Sequence, residues 1–196
     1  MNRENEARET VVFFIRHAES EYAAGRERER GLTEQGMKDA WRVSEVLAME
    51  PIDHVYSSPY ARAILTVQAL ADARGLTVRT VDELHERRIA GDAHPLNASQ
   101  FVAAKRRAFE DFTYAEPGGE SSEAAQSRAV PSLLGLMRRH EGQRIALGTH
   151  GDIMTLMMNY FDSGYGYDFW KATSMPDIYR CAFRGGKLVE VERKWR

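Results

Sequence analysis

The sequence predicts an α/β fold: a three-layer α/β/α sandwich on a mostly parallel central sheet, with a small cap insert. Three observations predict it. Val11-Val12-Phe13-Phe14-Ile15 is an unbroken apolar run of the kind that forms a strand covered on both faces. Short apolar runs then alternate with helical patterns over residues 33–81, an order that requires parallel strands joined by helical crossovers. Two of the apolar runs stop abruptly in polar, titratable residues, and open parallel sheets bind ligands beyond the carboxyl ends of their strands.

The first run ends in Arg16 and His17, groups that rarely sit at the end of a core strand without polar partners. Residues 1–9 before it are polar and read as a flexible tail. Residues 22–31 carry the alternating charges Arg26-Glu27-Arg28-Glu29-Arg30 and read as a solvated loop. Thr33 is a helix N-cap with Glu34 in the first turn, and Met37, Ala40, Trp41, Ser44, Leu47 and Ala48 fall on one helical face. Pro51 lies just past that helix. Residues 52–57 form a short strand, after which Ser58 reads as an N-cap and Pro59 as the first helical residue. Ile64, Val67 and Ala71 mark the inner face of this second helix, Gly75 closes it, and residues 76–81 form a third strand.

Residues 82–119 break the pattern. They are polar, contain Pro95 and Pro117, and carry one helix over about residues 99–112. Too short for a core of its own, the segment reads as a cap inserted in a single domain that spans residues 1–196. Residues 120–140 return to helical periodicity with Val130, Leu133, Leu134 and Met137 facing inward; Pro131 predicts a kink and Gly142 an end. Residues 145–147 form a short strand, followed by Thr149-His150-Gly151-Asp152 and an apolar helix over residues 153–160. Thr149 and Asp152 read as caps of that helix. The aromatic stretch 160–170 has no clear period, and residues 178–183 and 188–192 read as a β-hairpin around Gly185-Gly186.

Composition narrows the function. The chain has 196 residues, 43% hydrophobic and 29% charged, with a net charge of −2, an ordinary globular balance. Such a charge gives no general attraction to nucleic acid or to a membrane surface, so any anion site must be local. One cysteine, Cys181, excludes an internal disulfide. Without a signal-peptide pattern or a membrane-spanning apolar run, the chain reads as cytoplasmic.

Chemistry converges on one sheet edge. Arg16 and His17 leave the end of the first strand, Arg62 lies in the first turn of the second helix, and His150 and Gly151 leave the strand at 145–147. Parallel strands place all of them together, beside a helix N-terminus that adds backbone donors and positive dipole. Two arginines, two histidines and a helix N-terminus form an anion pocket, and the planar guanidinium suits phosphate especially well. There is no G-x-S-x-G elbow, no G-x-x-x-x-G-K-[ST] loop and no G-x-G-x-x-G turn. His85-Glu86 lacks the second histidine of a helical zinc motif.

These residues resemble the histidine phosphatase superfamily, the branch that contains cofactor-dependent phosphoglycerate mutases and small phosphatases. Arg16-His17-Ala18-Glu19-Ser20 is similar to the R-H-G-E-[ST] signature with alanine for glycine. Leu32-Thr33-Glu34-Gln35-Gly36 resembles L-T-x-x-G, and Ser57-Ser58-Pro59-Tyr60-Ala61-Arg62-Ala63 resembles S-S-x-x-x-R-[AT]. Leu84-His85-Glu86-Arg87 resembles the segment bearing the acid, Pro117-Gly118-Gly119-Glu120-Ser121 the P-G-G-E-S turn, and Thr149-His150-Gly151 the final [ST]-H-G. The resemblance implies that His17 is the nucleophile and forms a phosphohistidine. Arg16, Arg62, His150 and Gly151 would surround the phosphoryl group, with His150 also counted among the catalytic residues. Glu86 would protonate the leaving oxygen and then activate water. It implies no cofactor and no metal. The substrate class is a phosphorylated small metabolite or a phosphoprotein.

Departures from the pattern bear on substrate. Tyr22 and Ala23 stand where mutases have tryptophan and asparagine, the F-T-G-W segment is missing, and Ile89-Ala90-Gly91-Asp92-Ala93 replaces G-x-W-E-G. These disfavour a phosphoglycerate mutase, the rival of the same chemistry. The rival of another class is a catalytically weak phosphate- or partner-binding protein. Asp82 and Glu83 compete with Glu86 for the acid role. His54, His85, His94 and His140 read as surface or structural, Lys105-Arg106-Arg107 as a solvated helical face, and Ser20 and Glu19 as loop supports. Tyr165, Tyr167, Phe169 and Trp170 read as packing against the sheet, with a pocket wall or a dimer contact as alternatives.

Overall fold

A computed structural model describes residues 8–22 and 25–196. Residues 1–7 of the expected tail and the departure at Ala23 lie outside the described residues. Strand β1 (Thr10–Arg16) is buried along almost its whole length, as its apolar run requires. It pairs in parallel with β4 (Arg144–Thr149) and antiparallel with β5 (Asp177–Arg184). With β2 (His54–Ser57), β3 (Val78–Thr80) and β6 (Lys187–Arg193) it makes a six-stranded sheet in the order β3-β2-β4-β1-β5-β6. Strands β1 to β4 are parallel, and the hairpin β5–β6 supplies the antiparallel edge.

Alternation along β1 sorts the core onto two faces. Val11, Phe13 and Ile15 pack with Val43, Leu47, Val67 and Leu70 from helices α1 (Glu34–Val46) and α2 (Ala61–Asp72). Val12 and Phe14 pack with Leu133, Met137, Ile153 and Met157 from α4 (Ser122–Arg139) and α5 (Gly151–Phe161). The expected three-layer sandwich is present. Between β3 and α4 the chain leaves the sheet through a 3-10 turn at Asp82–Leu84 and helix α3 (Ala98–Glu110). Asn97 and Gln100 form a reciprocal capping box that starts α3. The aromatic stretch contributes the short helix α6 (Tyr167–Ala172).

Several local expectations need correction. The buried side of α1 is Gly36, Ala40 and Val43, continued by Leu47, whereas Met37 is 42% and Trp41 63% exposed. Gly36 and Ala40 face inward because the loop after β1 approaches them closely through Glu19, Ala18 and Leu32, while Val43 and Leu47 pack into the sheet core and Met37 and Trp41 lie on the solvent side. Ser58 is not an N-cap; α2 is preceded by Tyr60, which makes no side-chain cap bond. Helix α4 continues through Pro131 as one element, and its inward set includes Leu136 in place of the half-buried Leu134. Glu9, assigned to the tail, bonds Arg180 and Arg184.

Two of the recognised motifs are scaffolding. Thr33 Oγ1 accepts the Gly36 amide at 3.0 Å and donates to Glu19 Oε1 at 2.9 Å, and the Thr33 amide donates to the Glu19 carbonyl. The loop after β1 is thereby fastened to the start of α1. A Cβ at Gly36 would lie 2.0 Å from the Glu19 carbonyl oxygen, so only glycine permits this approach. In the Pro117–Ser121 turn, the Pro117 carbonyl accepts from Gly91 and the Glu120 amide donates to Arg88, bracing the chain just beyond Glu86. Ala18, which replaces the signature glycine, is fully buried with Leu32 and Ala40.

Gly36→Ala should destabilise the fold by about 2 kcal/mol or more, against about 1 kcal/mol for loss of the cap in Thr33→Ala. Urea unfolding of both variants checks the ranking, and equal effects would contradict the close approach.

Candidate active site

The β1–β4 register places Arg16 beside Thr149, and the His17 amide donates to the Thr149 carbonyl at 2.9 Å. The ladder thus continues past both strand ends, bringing His17 and His150 side by side with ring centroids 5.3 Å apart. His17 is 6% exposed, and its Nδ1 lies 2.7 Å from the Ala18 carbonyl oxygen. A carbonyl can only accept, so Nδ1 carries the proton and Nε2 keeps its lone pair. Burial, and then the Arg62 guanidinium, hold this imidazole down to about 3. It is a neutral base with its free nitrogen fixed.

Arg62 is 1% exposed in the first turn of α2. Its Nη1 donates to the Glu27 carbonyl at 2.5 Å and its Nη2 lies 3.3 Å from the Glu27 carboxylate. The expected solvated loop therefore places one side chain on the anion site. Tyr60 lies beneath the Arg62 guanidinium at 4.9 Å and edge-on to His150 at 5.2 Å. Arg16 donates through Nη1 to the carbonyl and hydroxyl of Thr173. His150 Nε2 is 2.7 Å from Ser58 Oγ, which explains Ser58 better than a cap does. Burial, then Arg62 and His17, keep His150 well below the usual imidazole value.

Gly151 begins α5. A Cβ there would meet Trp170 Nε1 at 2.9 Å and Arg16 Cζ at 3.1 Å, so glycine lets the guanidinium and the indole close on the helix start. Neither Thr149 nor Asp152 caps this helix. Glu86 does, from across the chain: its Oε1 accepts the Ile153 amide at 3.0 Å and its Oε2 the Asp152 amide at 3.2 Å. Burial, and then the Asp152 carboxylate, push the Glu86 carboxyl above its ordinary range. Asp82 and Glu83, the competing acids, are exposed, and Asp82 pairs with Arg28 instead.

Five buried polar atoms have no hydrogen-bond partner among the described residues: Arg16 Nε, Ser57 Oγ, Arg62 Nε, Thr149 Oγ1 and His150 Nδ1. Each belongs to a residue at this sheet edge. Native structures leave few such groups unpaired, and their concentration here marks this edge as the candidate binding site. Three of the residues are basic, a lining that suits an anion. No group of three or more His, Cys, Asp or Glu among the described residues is arranged to hold a metal ion, and no helix among them is long and apolar enough to cross a membrane.

The sequence reading thus finds Arg16, His17, Arg62, Glu86, His150 and Gly151 together, but it misses Ser58, Glu27, Thr173 and Asp152. Lys105 also departs from expectation: it is 5% exposed and bonded to Asp152, not on a solvated face. Trp170 touches the site while Tyr167 joins the core. His54 and His140 stack at 3.8 Å and share Gln143, a structural pair, and His85 lies against Tyr60 at 6.2 Å.

Residues 12–189 match the family model described as the histidine phosphatase superfamily, branch 1. The chain is 32% identical over 155 residues to phosphoglycerate mutase-like protein 4 of Arabidopsis thaliana, covering 73% of this chain and 67% of that one. It is 31% identical over 152 residues to phosphoserine phosphatase 1 of Hydrogenobacter thermophilus, covering 71% and 70%. Among solved structures, a mycobacterial glucosyl-3-phosphoglycerate phosphatase superposes with a TM-score of 0.75 over 95% of this chain and 97% of its own, at 23% identity. That last likeness is one of fold.

Two measurements follow from the geometry. His17 has a folded value near 3 against an ordinary 6.5, so the unfolded chain takes up a proton that the folded chain refuses between those values. Stability should be complete above about pH 6.5 and fall as pH drops toward 3, by on the order of 4 kcal/mol from this residue alone. A His17→Asn variant should show a flatter melting-temperature profile over that window. Glu27→Gln removes the carboxylate from Arg62 and should tighten inorganic phosphate binding by about two- to fivefold, the scale of a half-exposed ion pair. An unchanged phosphate affinity, read by calorimetry, would contradict competition between Glu27 and the anion.

Proposed function

The chain belongs to the histidine phosphatase superfamily, and from that premise we propose that it hydrolyses phosphomonoesters through a phosphohistidine on His17, without a metal ion. The observation that carries the proposal is the fixed His17 tautomer, a free Nε2 beside Arg16, Arg62 and His150 with their unpartnered buried nitrogens.

His17 Nε2 attacks phosphorus in line as the bond to the ester oxygen breaks. Arg16, Arg62 and the His150 Nδ1–H donate to the non-bridging oxygens and stabilise the charge spread over them. His150 can supply that proton because Ser58 can donate its own to Nε2. The leaving oxygen takes a proton from Glu86. Water then attacks the phosphohistidine, Glu86 accepts its proton, and inorganic phosphate leaves with His17 neutral again. Splitting the transfer this way needs Glu86 in both protonation states, and its position between burial and backbone donors supports that dual role.

Residues 82–119 act as the cap of this site, carrying Glu86 at one end and α3 above it. The ester is a small phosphorylated metabolite or a phosphoprotein. Hydrolysis is proposed over mutase activity because residues 22–31 lack the mutase pattern.

The purified protein should hydrolyse an aryl phosphate in excess chelator, and His17→Ala should lose activity by more than a thousandfold. Labelled substrate quenched in alkali should leave label on His17, since phosphohistidine survives base and not acid. Activity lost in chelator, or retained by His17→Ala, would refute the reading. Activity assayed side by side with phosphoglycerate isomerisation separates phosphatase from mutase. An inactive protein whose melting temperature rises with vanadate would be a binding protein instead.

A further inference from the structure

Asp152 is fully buried and sits one residue into α5 after Gly151. A carboxylate there needs counter-charge, and it has two cations from distant parts of the chain. Arg87, itself 3% exposed, donates to Oδ2 through Nε at 3.0 Å and Nη2 at 2.8 Å. Lys105 Nζ reaches Oδ1 at 2.6 Å from α3, with its ammonium 4.1 Å from the Trp170 ring. Arg87 also bonds Ser122 at the start of α4. None of these three charges bears on a phosphoryl group in the mechanism above.

Their common neighbour is Glu86. It is bonded to the Asp152 backbone amide and precedes Arg87 in sequence, so the ion cluster fixes the carboxyl from both sides. Three backbone amides favour the ionised carboxylate, those of Asp152 and Ile153 at the α5 N-terminus and that of Arg87 in the adjoining loop. Burial, and then the Asp152 carboxylate by like charge, oppose them, and Lys105 damps the second of these. Other charged or titratable groups around Glu86 are Arg16 at the end of β1 and Arg62 and Tyr60 at the start of α2.

Resting on the acid role given to Glu86, we propose that Asp152 is a positioning residue that holds Glu86 ready to protonate the leaving oxygen, and that Lys105 from the cap helix sets how strongly it does so. The two residues act with opposite signs. Removing the Asp152 charge leaves burial alone to oppose the amides, so Glu86 gives up its proton at lower pH. Removing the Lys105 charge exposes Glu86 more fully to Asp152, so it keeps its proton to higher pH. A cluster that only held the fold together would not produce opposed shifts.

Wild type, Glu86→Gln, Asp152→Asn and Lys105→Met are compared on p-nitrophenyl phosphate, whose leaving group needs little protonation, and on glycerol 2-phosphate, whose alkoxide needs it. Glu86→Gln should lose about a hundredfold more activity on the alkyl than on the aryl ester. If it does not, the acid role falls and this proposal falls with it. Given that result, the basic limb of the kcat/KM profile on glycerol 2-phosphate should move down by about one pH unit in Asp152→Asn and up in Lys105→Met. Asp152→Asn should also lose more on the alkyl than on the aryl ester at pH 8. Limbs that stay in place, or move in the same direction, overturn the proposal while leaving Glu86 as the acid. Should Asp152→Asn fail to fold, the upward shift in Lys105→Met decides alone.

Discussion

The parallel pairing of β1 with β4 is the constraint on which the site depends. Side chains in a strand alternate, so a shift of one residue would exchange the two core faces and move Arg16 away from Thr149. Burial on both faces makes that shift prohibitive: Phe13 and Phe14 each fill a different side of the sheet and would have to trade places with their neighbours. Truncating one such phenylalanine costs about 3–5 kcal/mol, and a register slip would misplace all five apolar residues at once. Hydrophobic packing therefore fixes, to within a hydrogen bond, where His17 meets His150. The geometry of the candidate site is inherited from the core.

Having assembled the residues, the fold must tolerate them. Arg16, His17, Arg62 and His150 would repel one another if all were charged and buried. The two imidazoles resolve this by staying neutral, since burial and the arginines both work against their protonation. The arginines resolve it through carbonyls and a hydroxyl, Glu27 for Arg62 and Thr173 for Arg16, while each keeps its Nε unpartnered. Both terminal nitrogens of Arg62 are thus engaged by Glu27 and one of Arg16 by Thr173, and the Nε of each guanidinium stays unpartnered. Such preorganised donors need no reorientation as charge moves onto the phosphoryl oxygens in the proposed reaction.

Legibility in the sequence follows the range of the interaction. Strand ends, the Thr33 cap and the Gly185-Gly186 turn depend on neighbours a few residues away, and the sequence displays them. Arg62 and His150 are legible for a related reason, because each sits at a fixed offset from a strand end. Ser58 misleads, since Ser-Pro before a helix is a sound capping signal and its true partner, His150, is 92 residues distant. Lys105 misleads in the same way: a basic run on a polar segment is usually solvated, and nothing local reveals the Asp152 carboxylate 47 residues on. The rotated face of α1 is another such case. Trp41 outweighs Ala40 in any apolar count, yet it is Ala40 that packs against Ala18 and Leu32 while Trp41 faces solvent.

In the proposed reaction the acid, Glu86, comes from outside the parallel strands, and its surroundings suit that role. Arriving on the segment that leaves the sheet, Glu86 meets both the amides of α5 and the buried charge of Asp152. The first set favours release of its proton and the second favours retention. A group required to donate in one half of a reaction and accept in the other works best when neither influence dominates. The excursion over residues 82–119 supplies that balance twice, through the loop that carries Glu86 and through Lys105 on α3, which reaches back to temper Asp152. Under the proposed reaction the insertion would thus serve the chemistry as well as the enclosure of the candidate site.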